Sequence, residues 1–409
     1  MGTAPSAAAA SESSVAAAAA AASDMNHLLR PLHWTAVLRH PHAAAGSPLL
    51  FRLCTTVMIF FALCFICSEG AVLFHQGTED VDVFILLLST IDTATIWIFR
   101  MVHTAVFEQD FHKLALQVGD DFAEFLTWDD IPVIRSRCRM VRRFTLTFVW
   151  VSLSGCCYFL VSPASADGLP FILALPYDAS TPSGYAVSWL FCAVVCLHAV
   201  VMTTVLDSFN VSLIAQLRIQ LTLLSSKIVI LAKEMSDVPA HSTEKSSYHD
   251  LHYRLKKCVL HHQAIIKNAD LLERRLGAML LAQSISIGAA ACFQMFQIAT
   301  SADGMQQMGK FGIYLSTMLS ELFVYCWFGD DLITESENLA MAAYDAVTSL
   351  QGCPLSIKRS LLLLMHRPQR PLCITAGGFF PLSRESFVAV LNVSYSFFAI
   401  LRNFKEEEQ

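Results

Sequence analysis

The last apolar stretch of the chain carries polar side chains at a spacing that could hold water. At about 100° per residue, Asn392, Ser396, Ala399 and Asn403 share one narrow arc of a helix. Tyr395 lies beside that arc and Ile400 further off it, while Val388 is its apolar exception. Most of the remaining positions are Val, Leu and Phe. Lipid satisfies no polar group, so such a stripe must face protein or water. The stripe alone admits two readings: a helix lining an ion path, or a seam of small and polar residues packed on another helix. Asp92, His198 and Glu321 stand inside other apolar stretches, and Asp82 and Asp207 nearer the ends of theirs. An ionisable group there contacts a ligand, takes part in gating, or is a hydrogen-bonded interior residue.

The elements that must position these residues are membrane helices. The chain has 409 residues, 55% hydrophobic and 15% charged, with a mean hydropathy of +0.50. A soluble domain is nearer a quarter charged. A net charge of −6 points to no nucleic-acid partner. The 13 cysteines lie in apolar stretches or basic loops and read as reduced thiols rather than a disulfide framework. No phosphate-binding loop, nucleophile elbow or metal-site spacing is present, so neither enzyme chemistry nor a cofactor or metal is expected. The Ala/Ser run from Ala7 to Ala22 lacks a basic flank and a Leu-rich centre, which makes it a low-complexity tail rather than a signal peptide.

A span takes about 20 mostly apolar residues. Seven are predicted: Leu53–Phe74, Val81–Val102, Phe144–Ala164, Ala186–Leu213, Gly277–Thr300, Phe311–Phe328 and Ser386–Leu401. With these boundaries, 25 of the 28 Lys and Arg fall on one side; only Lys310, Arg402 and Lys405 fall on the other. The positive-inside rule therefore predicts a cytoplasmic N-terminus and an extracellular C-terminus. That is opposite to G-protein-coupled receptors, and seven spans do not divide into the matched halves of a transporter. Leu213–Ile230 and Tyr248–Leu276 keep helical apolar spacing beyond the spans, with a polar turn at Ser236–Ser247, and predict an internal helical bundle. Leu355–His366, between Pro354 and Pro368, is a further amphipathic candidate. The expected fold class is an all-α membrane protein of seven helices with a cytoplasmic helical anchor. Its segments are a tail (1–47), helices one to four (48–212), a cytoplasmic extension (213–276), helices five and six (277–329), an anchor segment (330–385), helix seven (386–404) and an acidic tail (405–409).

The segment from Cys326 to Leu401 resembles the C-terminal region of insect odorant receptors. The residues that carry the likeness begin with Cys326, Phe328-Gly329-Asp330-Asp331-Leu332, Ser336 and Ala342-Ala343-Tyr344. They continue with Arg359, the run Leu361 to Leu364, Arg367-Pro368-Gln369-Arg370-Pro371, Thr375-Ala376-Gly377 and Phe380-Pro381-Leu382-Ser383. Ser386-Phe387, Leu391, Ser394-Tyr395-Ser396 and Leu401 complete it. Ala346-Val347-Thr348 departs from the family, which often has a Trp there. The related gustatory receptors carry a Thr-Tyr and Gln-Phe motif in the last helix, of which Ser396 to Phe404 looks like a degraded form.

The resemblance implies an odorant-gated, poorly selective cation channel of four subunits around one pore. It also implies pairing with a shared odorant co-receptor subunit in the plasma membrane of olfactory sensory neurons, among membrane lipid and permeating cations. A gustatory-type homomeric channel and, further off, a transporter are the alternatives. The implied ligand is a small volatile odorant held in the outer half of the bundle. With a cytoplasmic N-terminus, the outer half contains Phe84, Leu88, Ile91, Ser152, Cys156, Tyr158, Phe159, Trp189, Phe191, Cys192, Tyr314, Leu315 and Met318 as ligand candidates, with Phe293, Phe296 and Phe311 nearby. The resemblance also assigns the last helix to the pore. Asn392, Tyr395, Ser396, Ala399 and Asn403 would line it, with Ile400 and Phe404 as gate candidates closing it by dewetting.

Overall fold

The structure, a computed structural model, describes residues 15, 17–19, 25–39, 48–75, 81–162, 168–237, 245–300, 305–349, 359, 362 and 371–408. The 1–47 tail, the Ser236–Ser247 turn and the Leu355–His366 helix for the most part, and the Arg367–Arg370 motif, lie outside the described residues. The helices in chain order are α1 (Asn26–Trp34), α2 (Pro48–His75), α3 (Val81–Val106), α4 (Glu108–Leu116), α5 (Asp130–Val161), α6 (Pro182–Asp237), α7 (Lys245–Thr300), α8 (Met305–Ser349) and α9 (Arg384–Glu408). Seven of them, α2, α3 and α5 to α9, are long and apolar enough to cross a membrane.

The helices run past the predicted spans because charge ends an apolar run without ending a helix. α6 and α7 have 56 residues each and α8 has 45. At 1.5 Å per residue a 56-residue helix is roughly 84 Å long, against a hydrocarbon core of about 30 Å. All three extend beyond the spans at the same end, here termed the basic end. A buried stripe at steps of three and four residues holds them together there. Leu213, Leu217, Leu221, Leu224 and Ile228 of α6 are fully buried, as are Ile265, Leu272 and Leu276 of α7 and Leu332 and Leu339 of α8. Each such side chain contributes about 1.5–3 kcal/mol by leaving water. Arg218 clamps α6 to α8 through Asp331 at 2.9 Å.

Two cations at the edges of predicted spans, which the charge count assigns to the flanking loops, lie inside the fold. Arg100 belongs to α3 and Lys310 to α8, and each is 1% exposed. Both stand next to the end of an apolar run, where a buried cation and a boundary cation look alike in one dimension.

The chain enters α9 through a two-stranded hairpin, β1 (Thr375–Ala376) against β2 (Phe380–Pro381), with Thr375 opposite Pro381. Gly377 (φ +60°) and Gly378 (φ +80°) make its turn. A Cβ on Gly377 would stand 2.7 Å from Leu281 Cδ2, so glycine also permits close docking on α7. Glu273 of α7 accepts the Thr375 N–H at 2.7 Å and the Thr375 hydroxyl. The Ser383 hydroxyl then accepts the Ser386 N–H at 3.2 Å, which caps α9.

At the basic end, His261 of α7 is 1% exposed. It bonds Gln220 Oε1 at 3.0 Å and stacks on Phe125 at 5.0 Å between ring centroids. Burial, with the nearby Lys227 and His262 charges, pushes its pKa from 6.5 down to about 3. The unfolded chain therefore binds the proton first. The stabilisation is complete above pH 6.5 and is lost as the pH falls toward 3. At pH 5 the loss is about 2 kcal/mol. Thermal unfolding in detergent should show a lower midpoint at pH 5 than at pH 7, and His261→Gln should flatten that difference. An equal pH dependence in the variant would refute the assignment.

Candidate functional site

Polar residues recur along one face of α3: Ser89, Thr93 and Arg100, with Trp97 among them. They face α5, α6, α7 and α8 across a cavity of about 180 Å³. From α5 come Ser152, Cys156 and Phe159; from α6 Cys196, Ala199, Thr203 and Asp207; from α7 Gln283 and Ser286; from α8 Tyr314, Met318 and Glu321. On each helix these positions repeat at three or four residues, as a single inward face requires.

One end of the cavity is aromatic. Phe171, from the segment between α5 and α6, meets Phe65 edge-on at 5.0 Å and Phe159 at 5.2 Å. Lys310 Nζ sits 4.0 Å above the Phe159 ring and donates to the Ser162 and Pro170 carbonyls at 3.0 and 3.2 Å. The ammonium thereby fixes the segment that covers this end. Within the cavity the Thr93 and Tyr314 hydroxyls share a hydrogen bond.

The other end is ionic. Arg100 donates to Asp207 and, at 2.9 Å, to Glu321 Oε1. Tyr325 donates to Asp207 Oδ1 at 2.8 Å, Asn210 donates to the Tyr325 hydroxyl at 3.2 Å, and Gln283 donates to Glu321. The network joins α3, α6, α7 and α8 at one point. Asp207, read from sequence as a residue near a span edge, is 3% exposed.

Five of the sequence candidates line the cavity: Ser152, Cys156, Phe159, Tyr314 and Met318, with Phe311 beside them. Phe84, Leu88, Ile91, Tyr158, Trp189, Phe191, Cys192 and Leu315 are not in its wall. Phe84, Leu88 and Ile91 occupy a different face of α3. Tyr158 and Trp189 are each 37% exposed on the bundle surface, Phe191 packs on Phe61, and Cys192 is fully buried. His198 donates from Nε2 to the Thr35 carbonyl at 3.0 Å, and Asp92 accepts the Ser286 hydroxyl at 2.6 Å. Asp82 pairs with Lys405 at 2.8 Å, joining α3 to the end of α9. The sequence reading missed Arg100, Thr93, Trp97, Cys196, Phe171 and Gln283. The Ser89, Thr93 and Arg100 stripe was the available signal, because polar groups in a span turn inward.

On α9 the packing seam and the polar stripe are separate faces. Ser394 is 2% exposed and donates to the Gly288 carbonyl of α7 at 2.9 Å. Asn392, Tyr395, Ser396, Ile400, Asn403 and Phe404 are exposed and Ala399 is half-buried. No helix of this chain covers the stripe among the described residues.

Removing Arg100 would leave two carboxylates buried and unpaired, which costs about 3–5 kcal/mol. Arg100→Ala should therefore sharply reduce folded receptor at the cell surface. Replacing Arg100, Asp207 and Glu321 together with Met, Leu and Met should restore much of it. Surface labelling checks both, and normal levels of Arg100→Ala would contradict the burial.

Comparison with known proteins places this geometry. A family model described as 7tm odorant receptor matches residues 80–395. Odorant receptor Or2 of Anopheles gambiae is 26% identical over 310 residues, covering 74% of this chain and 79% of that one. Putative odorant receptor 92a of Drosophila melanogaster is 27% identical over 246 residues, covering 60% and 57%. Among solved structures, the insect olfactory receptor OR5 of Machilis hrabei in complex with eugenol superposes with a TM-score of 0.79 at 13% identity, covering 93% of this chain and 97% of that one. A multi-pass membrane receptor with seven apolar helices, the chain belongs to the insect odorant receptor family.

Proposed function

We propose that this chain is the odorant-binding subunit of a ligand-gated, non-selective cation channel. The cavity between the aromatic end and the Arg100 network carries the reading. Apolar cavities of roughly 150 Å³ hold a benzene-sized guest, and this one is about 180 Å³. Its wall is mainly apolar and aromatic with a few polar groups, the chemistry of a small-molecule site. Among the described residues, Trp97 Nε1, Ser152 Oγ and Gln294 Oε1 have no hydrogen-bond partner and can meet the polar group of a small volatile. The eugenol complex of a receptor with the same fold supports the same ligand class.

A route from cavity to pore runs along α7. Gln283 touches the ion network, Ser286 holds Asp92, and Gly288 holds Ser394 of α9. An odorant needs only a higher affinity for the open arrangement of these helices. The uncovered stripe on α9 would line a pore shared by four subunits, this chain pairing with an odorant co-receptor. Ile400 is the gate on this reading. The long α6, α7 and α8 extensions would form the cytoplasmic anchor between subunits, with the N-terminus inside and the C-terminus outside. The site of action is the plasma membrane of olfactory sensory neurons.

Cells expressing the chain with a co-receptor should give odorant-evoked cation current to some member of a volatile panel, and cells expressing it alone should not. Current from the chain alone would contradict the heteromeric reading. Ala199→Phe fills the cavity and should raise the half-maximal odorant concentration at least about fivefold at unchanged surface level, because misplaced bulk in a packed site costs about 1–3 kcal/mol. Ile400→Ser should raise the current without odorant. An unaltered resting current would remove Ile400 from the gate.

A further inference from the structure

A second cavity, remote from the aromatic one, opens at the basic end between α5, α6 and α8. Its volume is about 300 Å³, and Val133, Met140, Phe144, Val324 and Trp327 make most of its apolar wall. Arg137 stands at its mouth. On α5, Val133, Arg137, Met140 and Phe144 follow at three- and four-residue steps, so the cation and the apolar groups share one face. Arg137 and Phe144 are roughly 10 Å apart along the helix. From Arg137 toward Phe144 that face passes from charged to apolar over the depth at which a phospholipid passes from phosphate to acyl chain, and Val133 adds an apolar group on the other side of Arg137.

Basic side chains are dense at this level of α5. Arg135, Arg137, Arg139, Arg142 and Arg143 fall within about two and a half turns, and all are exposed. At about 100° per residue Arg137 alone shares the groove's face, and the other four lie on the opposite side of the helix. Among the described residues none of the five has a carboxylate within ion-pair distance. Arg218, also in the wall, is occupied by Asp331 and Glu335, which leaves Arg137 as the wall's unpaired cation. Basic clusters of this size beside a span attract anionic lipid at about 1 kcal/mol per side chain. Met140 is 62% exposed, and Phe144 and Trp327 are 40% and 41% exposed, so the apolar wall is open from outside.

We infer that this groove is a binding site for an anionic phospholipid, with the phosphate on Arg137 and one acyl chain against Met140, Phe144 and Trp327. The other four arginines draw anionic lipid to this level of α5 from its opposite face, and Arg137 is the one that faces the groove. The inference is independent of the odorant cavity and of channel activity.

Trp327 reports on the site directly. Full-length receptor in detergent would be titrated with phosphatidylserine or phosphatidylcholine carrying brominated acyl chains, which quench nearby tryptophan. The Trp327 signal is the part of the emission lost in Trp327→Phe. It should be quenched at about fivefold lower concentrations of the serine lipid than of the choline lipid, and Arg137→Gln should abolish that preference. Met140→Glu should suppress quenching by the anionic lipid. Equal quenching by both lipids would mean a surface wetted by any chain and would overturn the site. Displacement by inorganic phosphate alone would mean a headgroup site without a seated chain, and would also overturn it. So would a Trp327 signal that neither lipid reaches while cross-links show a second subunit covering the groove.

Discussion

One guanidinium organises this fold. Arg100 is held by Asp207 and Glu321, one carboxylate on each of two other helices, and Gln283 brings in a fourth. In a protein interior none of these charges is tolerated singly, so the positions of α3, α6 and α8 are mutually conditional. Burial of Leu and Phe holds the helices together but does not select one rotation of each about its axis, since a lipid-exposed helix is apolar all round. The ion network does select it, because turning any one helix out of phase strands a charge. The cavity exists because this selection faces Thr93, Ala199 and Tyr314 inward.

The same selection links the site to the last helix. α7 meets the network through Gln283 and meets α9 five residues further, about one and a half turns on, through Gly288 and Ser394. Small residues at that crossing permit close approach, as in other helix pairs within lipid. Asp82 and Lys405 add a second tie between α3 and the far end of α9. On the proposed reading, a ligand that alters the spacing of α3 and α8 acts on an element that α9 cannot ignore. The stripe from Asn392 to Asn403 is left uncovered by the described helices because Ser394 takes the packing role, and on the proposed reading it faces the other subunits.

Much of the architecture was legible in one dimension. The seven apolar runs are unambiguous because lipid demands about 20 residues each. The continuation of α6 showed in the Leu213, Leu217, Leu221 and Leu224 spacing. Thr375-Ala376-Gly377 and Ser383 belong to the family likeness, but the hairpin and cap they form before α9 were not read from them, because two-residue strands leave no periodicity. What was not legible was phase and depth. Arg100 sits where an apolar run ends, so it reads as a loop cation. Only the partner carboxylates, 107 and 221 residues away in sequence, reveal it as interior. Phe84, Leu88 and Ile91 fall in the outer half of α3 by sequence, but the cavity lies on the face marked by Ser89, Thr93 and Arg100. Phe171 comes from a connecting segment whose sequence says nothing about where it folds back.

The most direct test is a cryo-electron microscopy structure of the receptor complex with an activating volatile. Ligand density should lie between Phe159, Tyr314 and Met318, above an intact Arg100, Asp207 and Glu321 network. Density elsewhere in the subunit, with this cavity closed by side chains in the active complex, would contradict the proposed site and the route to α9 that depends on it.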